Sequence, residues 1–172
     1  VITPVGIDIG LVEGDLEVST DQGTSWRRTT DSTEINIGDW VRTSDSPDDR
    51  AVISFDDGSV VRLGSDSTIS FVKSSSEAID VLLREGQVYA RVAPVESRKF
   101  TINTASLEAT ALGPAFRVST SNDSEIIEVF ESSVKDGKTG NSVEEGKKMV
   151  YDKQSKQSRL DALDIESLKI DD

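Results

Sequence analysis

The sequence contains no cysteine and no histidine. Without cysteine there is no disulfide framework and no thiol chemistry. Without histidine the usual general base, the commonest metal ligand and the ordinary switch near neutral pH are missing. Serine is plentiful, but the common activated-nucleophile pairs need one of those absent partners; a serine–lysine dyad has no motif behind it. Aromatic residues make up only 5% of the chain, which argues against a sugar-gripping cleft with paired catalytic carboxylates. No apolar run approaches the roughly 20 residues that a helix needs to cross a bilayer.

Positive charge is also scarce. Lys and Arg total 19 against 32 Asp and Glu, a formal charge of -13. Such a field repels phosphate backbones and anionic membrane surfaces, so nucleic acid is not an expected partner. The 172 residues suit one domain, large enough to bury roughly 70% of its unfolded surface. The chain opens on Val1 rather than Met, so it reads as an excised or processed part of something longer, with a leader or anchor expected upstream.

What is present is alternation with a period of two. Ala51, Ile53 and Phe55 share a parity, as do Ile69 and Phe71, Ile79, Val81 and Leu83, then Val88, Ala90 and Val92. Phe100 and Ile102, Leu107 and Ala109, and Phe116 and Val118 continue the pattern. Period two means strands with one dry face and one wet face. Turn signals recur at short intervals, among them Ser46-Pro47-Asp48-Asp49, Asp57-Gly58 and Glu85-Gly86. Many short strands with frequent turns predict an all-β fold, either an antiparallel sandwich of jelly-roll type or a solenoid-like roll. Strand order is not encoded in the periodicity, so the two remain open.

Residues 152–159, DKQSKQSR, read as a polar connector. Beyond it, Leu160, Leu163, Ile165 and Leu168 carry i,i+3 spacing, which predicts a short C-terminal helix ending near Ile170. The organisation expected is a β domain over residues 1–151 and a connector plus helix over residues 152–172.

The most informative stretch runs from Ile35 to Leu63. Gly38 to Arg42 and Gly58 to Arg62 both read G-x-x-V-R, and Gly113 to Arg117 gives a weaker echo. Each arginine follows an apolar neighbour by one residue, so Arg42, Arg62 and Arg117 are expected on outward strand faces. They are either solvated or part of a shared binding stripe; solvation is the plainer reading. Trp40 lies between Asp39 and Val41. With Val41 inward, Trp40 either stays on the surface for a partner or packs beneath the Ser44–Arg50 loop or the C-terminal helix.

Taken in order, these elements resemble the FecR domain family, the extracytoplasmic domain of ferric-citrate-regulator-type proteins. Gly23-Thr24-Ser25-Trp26 resembles its early glycine-to-tryptophan segment. Gly38-Asp39-Trp40-Val41-Arg42-Thr43 resembles its G-D-x-V-x-T element. Ala51 to Phe55 with Asp57-Gly58 and Val61-Arg62-Leu63 resembles the next hairpin, and Val81 to Val88 around Gly86 the strand-turn-strand that follows. Phe100-Thr101-Ile102-Asn103-Thr104 resembles F-x-V-x-T. Gly113-Pro114-Ala115-Phe116-Arg117-Val118 resembles G-T-x-F-x-V, with Pro114 in place of threonine.

The resemblance implies an all-β, non-enzymatic module outside the cytoplasm, periplasmic or at the cell surface, used in sensing or protein contact. In transmembrane anti-sigma regulators such a domain receives a signal from an outer-membrane receptor. Ferric citrate chemistry does not carry over to these residues, and no cofactor is expected.

The candidate partner surface is Trp40, Arg42, Arg62 and Arg117, with Gly38, Gly58, Gly86 and Gly113 as structural turns. A carbohydrate- or cell-wall-binding module is the alternative, and would show an exposed aromatic platform. Asp45, Asp48 and Asp49, with Asp56 and Asp57, could hold calcium only if the two loops converged; turn capping is the expected role.

Overall fold

The computed structural model describes residues 3–29, 33–94 and 98–163. Seventeen strands cover them. They begin with β1 (Ile7–Glu13), β2 (Leu16–Ser19), β3 (Arg27–Thr29), β4 (Glu34–Ile35), β5 (Trp40–Thr43) and β6 (Arg50–Phe55). Then follow β7 (Val60–Leu63), β8 (Thr68–Ser74), β9 (Ala78–Arg91), β10 (Lys99–Asn103), β11 (Glu108–Ala111) and β12 (Ala115–Thr120). The last are β13 (Ser124–Glu131), β14 (Ser133–Asp136), β15 (Ser142–Glu144), β16 (Lys147–Asp152) and β17 (Gln157–Ala162).

The strands form two layers. The first sheet runs β4-β1-β6-β7-β9-β12-β13-β16-β17, antiparallel throughout. The second runs β3-β2-β5-β8-β9-β10-β11-β14-β15, with one parallel pairing, β9 to β10. From β6 onward the chain passes back and forth between the layers, roughly a hairpin at a time. Sandwich and roll are therefore both fair descriptions: two facing sheets, wound as a coil.

β9 belongs to both sheets. Residues 78–85 pair with β8 and β10, and residues 86–91 with β7 and β12. The changeover falls at Gly86, whose φ is +84°. A Cβ there would lie 2.6 Å from the Asp66 carbonyl oxygen and 2.2 Å from Ser67 Oγ. Only glycine meets both the left-handed backbone and the crowding.

Alternation produces the core. In β6, Ala51, Ile53 and Phe55 point in and are buried; in β5, Val41 does the same. Phe55 of the first sheet meets Phe71 and Phe100 of the second edge-on, with ring centroids 6.3 and 5.8 Å apart. Burying each such side chain contributes about 1.5–3 kcal/mol. Asp57-Gly58 closes the β6–β7 hairpin, with Gly58 at φ +94° and Asp57 Oδ1 accepting from the Ser59 amide at 2.8 Å.

The C-terminal expectation is revised in part. The polar run 152–159 is no connector. Residues 153–156 turn, and β17 then pairs with β16 from Asp152↔Gln157 to Lys147↔Ala162. Leu160, where the helix was expected to begin, is extended. Its i,i+3 spacing with Leu163 was outweighed by the open edge of β16, which supplies backbone partners that a short isolated helix lacks. Residues 164–172, including Ile165, Leu168 and Ile170, lie outside the described residues.

Candidate functional site

The predicted surface residues fall on two opposite faces. Trp40 and Arg42 sit on β5, on the outer face of the second sheet. Arg62 on β7 and Arg117 on β12 sit on the outer face of the first. The three G-x-x-apolar-Arg segments thus feed strands of different sheets. Gly38 and Gly58 both have φ of +94°, whereas Gly113 is outside the left-handed region and is needed because a Cβ would come within 2.0 Å of Ser132 Cβ.

On the second sheet, four side chains form a stack. The Arg42 guanidinium lies 3.9 Å from the Trp26 ring centroid, and that of Arg84 lies 3.7 Å from the Trp40 ring. The two indoles meet edge-on at 6.4 Å. Arg42 Nε also donates to Glu17 Oε1 at 3.0 Å. Trp40 is half-buried, packed against Trp26, Arg84 and the backbone at Gly23. The β2–β3 hairpin supplies its cover, in place of the Ser44–Arg50 loop. Arg84, in the β9 stretch just before the changeover, was not singled out by sequence; its cross-sheet neighbour becomes visible only with the register.

On the first sheet, one row crosses six strands: Val52, Arg62, Tyr89, Arg117, Glu128 and Lys148. Arg117 is not a solvated strand-face arginine. It is 7% exposed, and Nε and Nη2 donate to Glu128 Oε1 and Oε2 at 2.9 and 3.0 Å. Arg62 is exposed and its guanidinium sits 5.7 Å from the Tyr89 ring centroid. Tyr89 in turn tilts against Phe130, 5.7 Å away, and Arg117 lies 5.5 Å from the same Phe130 ring. Arg91, two residues on, is held above its ordinary pKa, first by a hydrogen bond with Tyr89 and then by the Glu131 charge.

The first four residues of this row, Val52, Arg62, Tyr89 and Arg117, line a shallow groove of ≈ 330 Å³ walled by Pro47 and Arg50. A more open depression of ≈ 760 Å³ lies at the changeover end, between Asp66, Arg84, Glu85, Asn122 and Lys153. Neither presents the enclosed apolar pocket with convergent polar groups that small substrates need.

Two carboxylates of the acidic loops, Asp49 and Asp57, are engaged by neighbouring groups. Asp49 accepts from the Ser44 amide at 3.1 Å and from the Ser44 hydroxyl, which is the leading cause of its lowered pKa. Asp57 pairs with Arg98 in a nearly dry contact, which ties the β6–β7 turn to the start of β10. Buried acids cap turns elsewhere: Glu125 accepts from Thr104 Oγ1, the Ser106 amide and Thr120 Oγ1 at 2.7, 2.9 and 2.8 Å. Asp136 accepts from the Glu108 and Thr139 amides at 2.8 and 3.0 Å. Among the described residues no three of His, Cys, Asp or Glu gather as a metal would require, and no helix is long and apolar enough to cross a membrane.

The family profile described as FecR protein matches residues 39–135, from the last residue before β5 to within β14. The chain belongs to the FecR family. Members of that family are non-catalytic adaptor domains. Two crystal structures of a putative anti-sigma factor from Parabacteroides distasonis share the fold, each with a TM-score of 0.62 at 17% identity. The alignment covers 77% of this FecR chain and 60% of that protein, so the chain spans less than two thirds of its relative's length. No curated protein sequence matches the chain.

Proposed function

We propose that this FecR domain is a non-enzymatic, extracytoplasmic module that contacts a protein partner in envelope signalling. The observation that carries the reading is the family match over residues 39–135, which spans the strands bearing Trp40, Arg42, Arg62, Arg84 and Arg117. The outer faces of those strands have the chemistry of interaction surfaces: they present Trp40, Arg42, Arg62 and Arg84, and Trp and Arg are among the residue types that dominate binding energy in protein contacts. A role like that of the anti-sigma relative belongs to the same proposal.

The glycan alternative gains nothing from the geometry. A sugar stacks on a bare ring, and here a guanidinium lies over both Trp26 and Trp40.

The test is a photo-crosslinking scan in the cell envelope of the native host. A photoreactive residue is placed in turn at outward positions of both sheets. The expected result is an adduct with an envelope protein from at least one face. A correctly folded, exported chain that yields no protein adduct from either face would overturn the reading.

A further inference from the structure

We infer that the free edge of β17 pairs with β17 of a second copy of this chain, antiparallel and centred on Leu160, so that the first sheet continues from one protomer into its partner. Such a dimer neither requires nor excludes the envelope partner proposed above.

Four strands end the two sheets. β17 is six residues long, against two for β4 and three each for β3 and β15. It holds no proline, and its pairing with β16 runs without a bulge. Both are devices that ordinarily blunt an edge. Among the described residues no strand pairs with its far side. The Leu163 amide donates to the Gly146 carbonyl at 2.9 Å, so the backbone groups of Leu163 point toward β16. Alternation turns those of Arg159 and Asp161 the same way, and those of Ser158, Leu160 and Ala162 outward along the free edge.

The side chains select the partner and the register. Leu160 lies opposite Met149, which is buried, so its side chain is on the core-facing side of the sheet. It is still 55% exposed, because β15, the last strand of the second sheet, packs over β13 and β16 and leaves β17 overhanging. Arg159 and Asp161 project from the opposite face, 2.9 Å apart and both exposed. Now place a two-fold axis at Leu160. Leu160 faces its own copy, Ser158 faces the partner's Ala162, and Arg159 faces the partner's Asp161, each contact occurring symmetrically. Ser158, Leu160 and Ala162 are the residues whose backbone groups point outward, so they exchange the hydrogen bonds. The arginine–aspartate pairs fall at the positions between, where facing side chains stand closest. An axis at Arg159 or at Asp161 sets like charges opposite each other. An axis at Ser158 or Ala162 runs the pairing off the end of the strand. Leu160 alone gives full overlap with opposite charges matched.

The contact is small beside a standard interface, and two chains of formal charge -13 repel each other, so the dimer is weak and reversible. Joined at their edges, the protomers leave the outer faces of both sheets open.

The experiment uses the full 172-residue chain. Sedimentation equilibrium is run from about 10 μM to about 1 mM protein, the range in which a contact of this size associates. A reversible monomer–dimer equilibrium is expected. Arg159→Asp and Asp161→Arg each place like charges across the axis, so each variant alone is expected to dimerise at least about tenfold more weakly, a difference of about 1.4 kcal/mol. An equimolar mixture of the two variants matches every charge again and is expected to recover the parent's association. Both variants should keep the parent's thermal midpoint, because an exposed ion pair adds little stability. Amide exchange at the two ends of the concentration range gives the location: Ser158, Leu160 and Ala162 are expected to be protected at high concentration and to exchange freely at low.

A monomer throughout the range would overturn the inference. So would a dimer that neither substitution weakens, or a mixture of the two variants that associates no better than either alone. Protection of Leu160 that does not depend on concentration would overturn it too, by giving the edge to the chain's own residues 164–172.

Discussion

Arg117 on β12 and Glu128 on β13 form a two-bond fork across the first sheet, Nε to Oε1 at 2.9 Å and Nη2 to Oε2 at 3.0 Å, with both side chains about nine-tenths buried. A buried pair of this kind costs much desolvation to assemble and still more to break, since the survivor is left as an unpaired charge. Arg117→Ala is therefore expected to destabilise the domain by about 3 kcal/mol. The double change Arg117→Met with Glu128→Leu should recover most of that loss. Urea denaturation of the three proteins checks it; a single mutant that unfolds at the parent midpoint would mean that the fork is dispensable.

The positive-φ glycines separate two sources of cost. Gly58 has φ +94° but open space where a methyl would project, the nearest atom being Ala93 Cβ at 3.9 Å. Gly86 has φ +84°, and a methyl there would come well below 3 Å from Asp66 and Ser67. Gly58→Ala should carry the conformational cost alone, about 1 kcal/mol, and Gly86→Ala the upper end of the strained range, about 3 kcal/mol, or fail to fold. Gly58→Val should exceed Gly58→Ala, because a β-branched side chain resists positive φ more strongly. Thermal melts give the order, and equal losses at Gly58 and Gly86 would show that crowding at the β9 changeover is relieved cheaply.

Alternation made the strands and their buried parity legible from sequence. Val41, Ile53, Val81 and Phe116 all face the core as their spacing requires. The layer assignment was not legible, because nothing in a period of two says which sheet a strand joins. This is why Arg42 and Arg62, alike in local pattern, stand on opposite faces. Arg117 shows a second limit. Its outward parity was correct, but the cross-strand neighbour that buries it, Glu128, is set by the β12–β13 register, and charge alone suggested water. The end of the chain shows a third: helical spacing at Leu160 and Leu163 gave way to an unpaired strand edge that sequence does not display.

Asp21 sits in the turn after β2, where its carboxylate accepts from Ser25 through both hydroxyl and amide and from the Ser19 hydroxyl. These bonds, led by the Ser25 hydroxyl, lower its pKa from 3.8 to about 2. A carboxyl that binds its proton more weakly when folded adds stability above its unfolded pKa. That contribution fades as pH falls from 3.8 toward about 2. A carboxyl-carbon NMR titration should place Asp21 near the bottom of that window, and Ser25→Ala should move it back upward. A midpoint at 3.8 in the parent would mean that the turn does not hold the ionised form.

The Trp40 stack makes a prediction that separates stability from recognition. Trp40→Ala removes the edge-on contact with Trp26 and the cation–π contact with Arg84. Those are worth about 0.5–1.5 and 0.5–2 kcal/mol respectively. A loss of about 2 kcal/mol is expected, read as a lower denaturation midpoint. Arg84→Met should lose only the cation–π share, since its stem can still cover the ring. A cycle over Trp26→Phe and Trp40→Phe then isolates the indole pair. Coupling near zero in that cycle, with Trp40→Ala as stable as the parent, would mean that Trp40 is held ready for a partner and does not brace the β2–β3 hairpin.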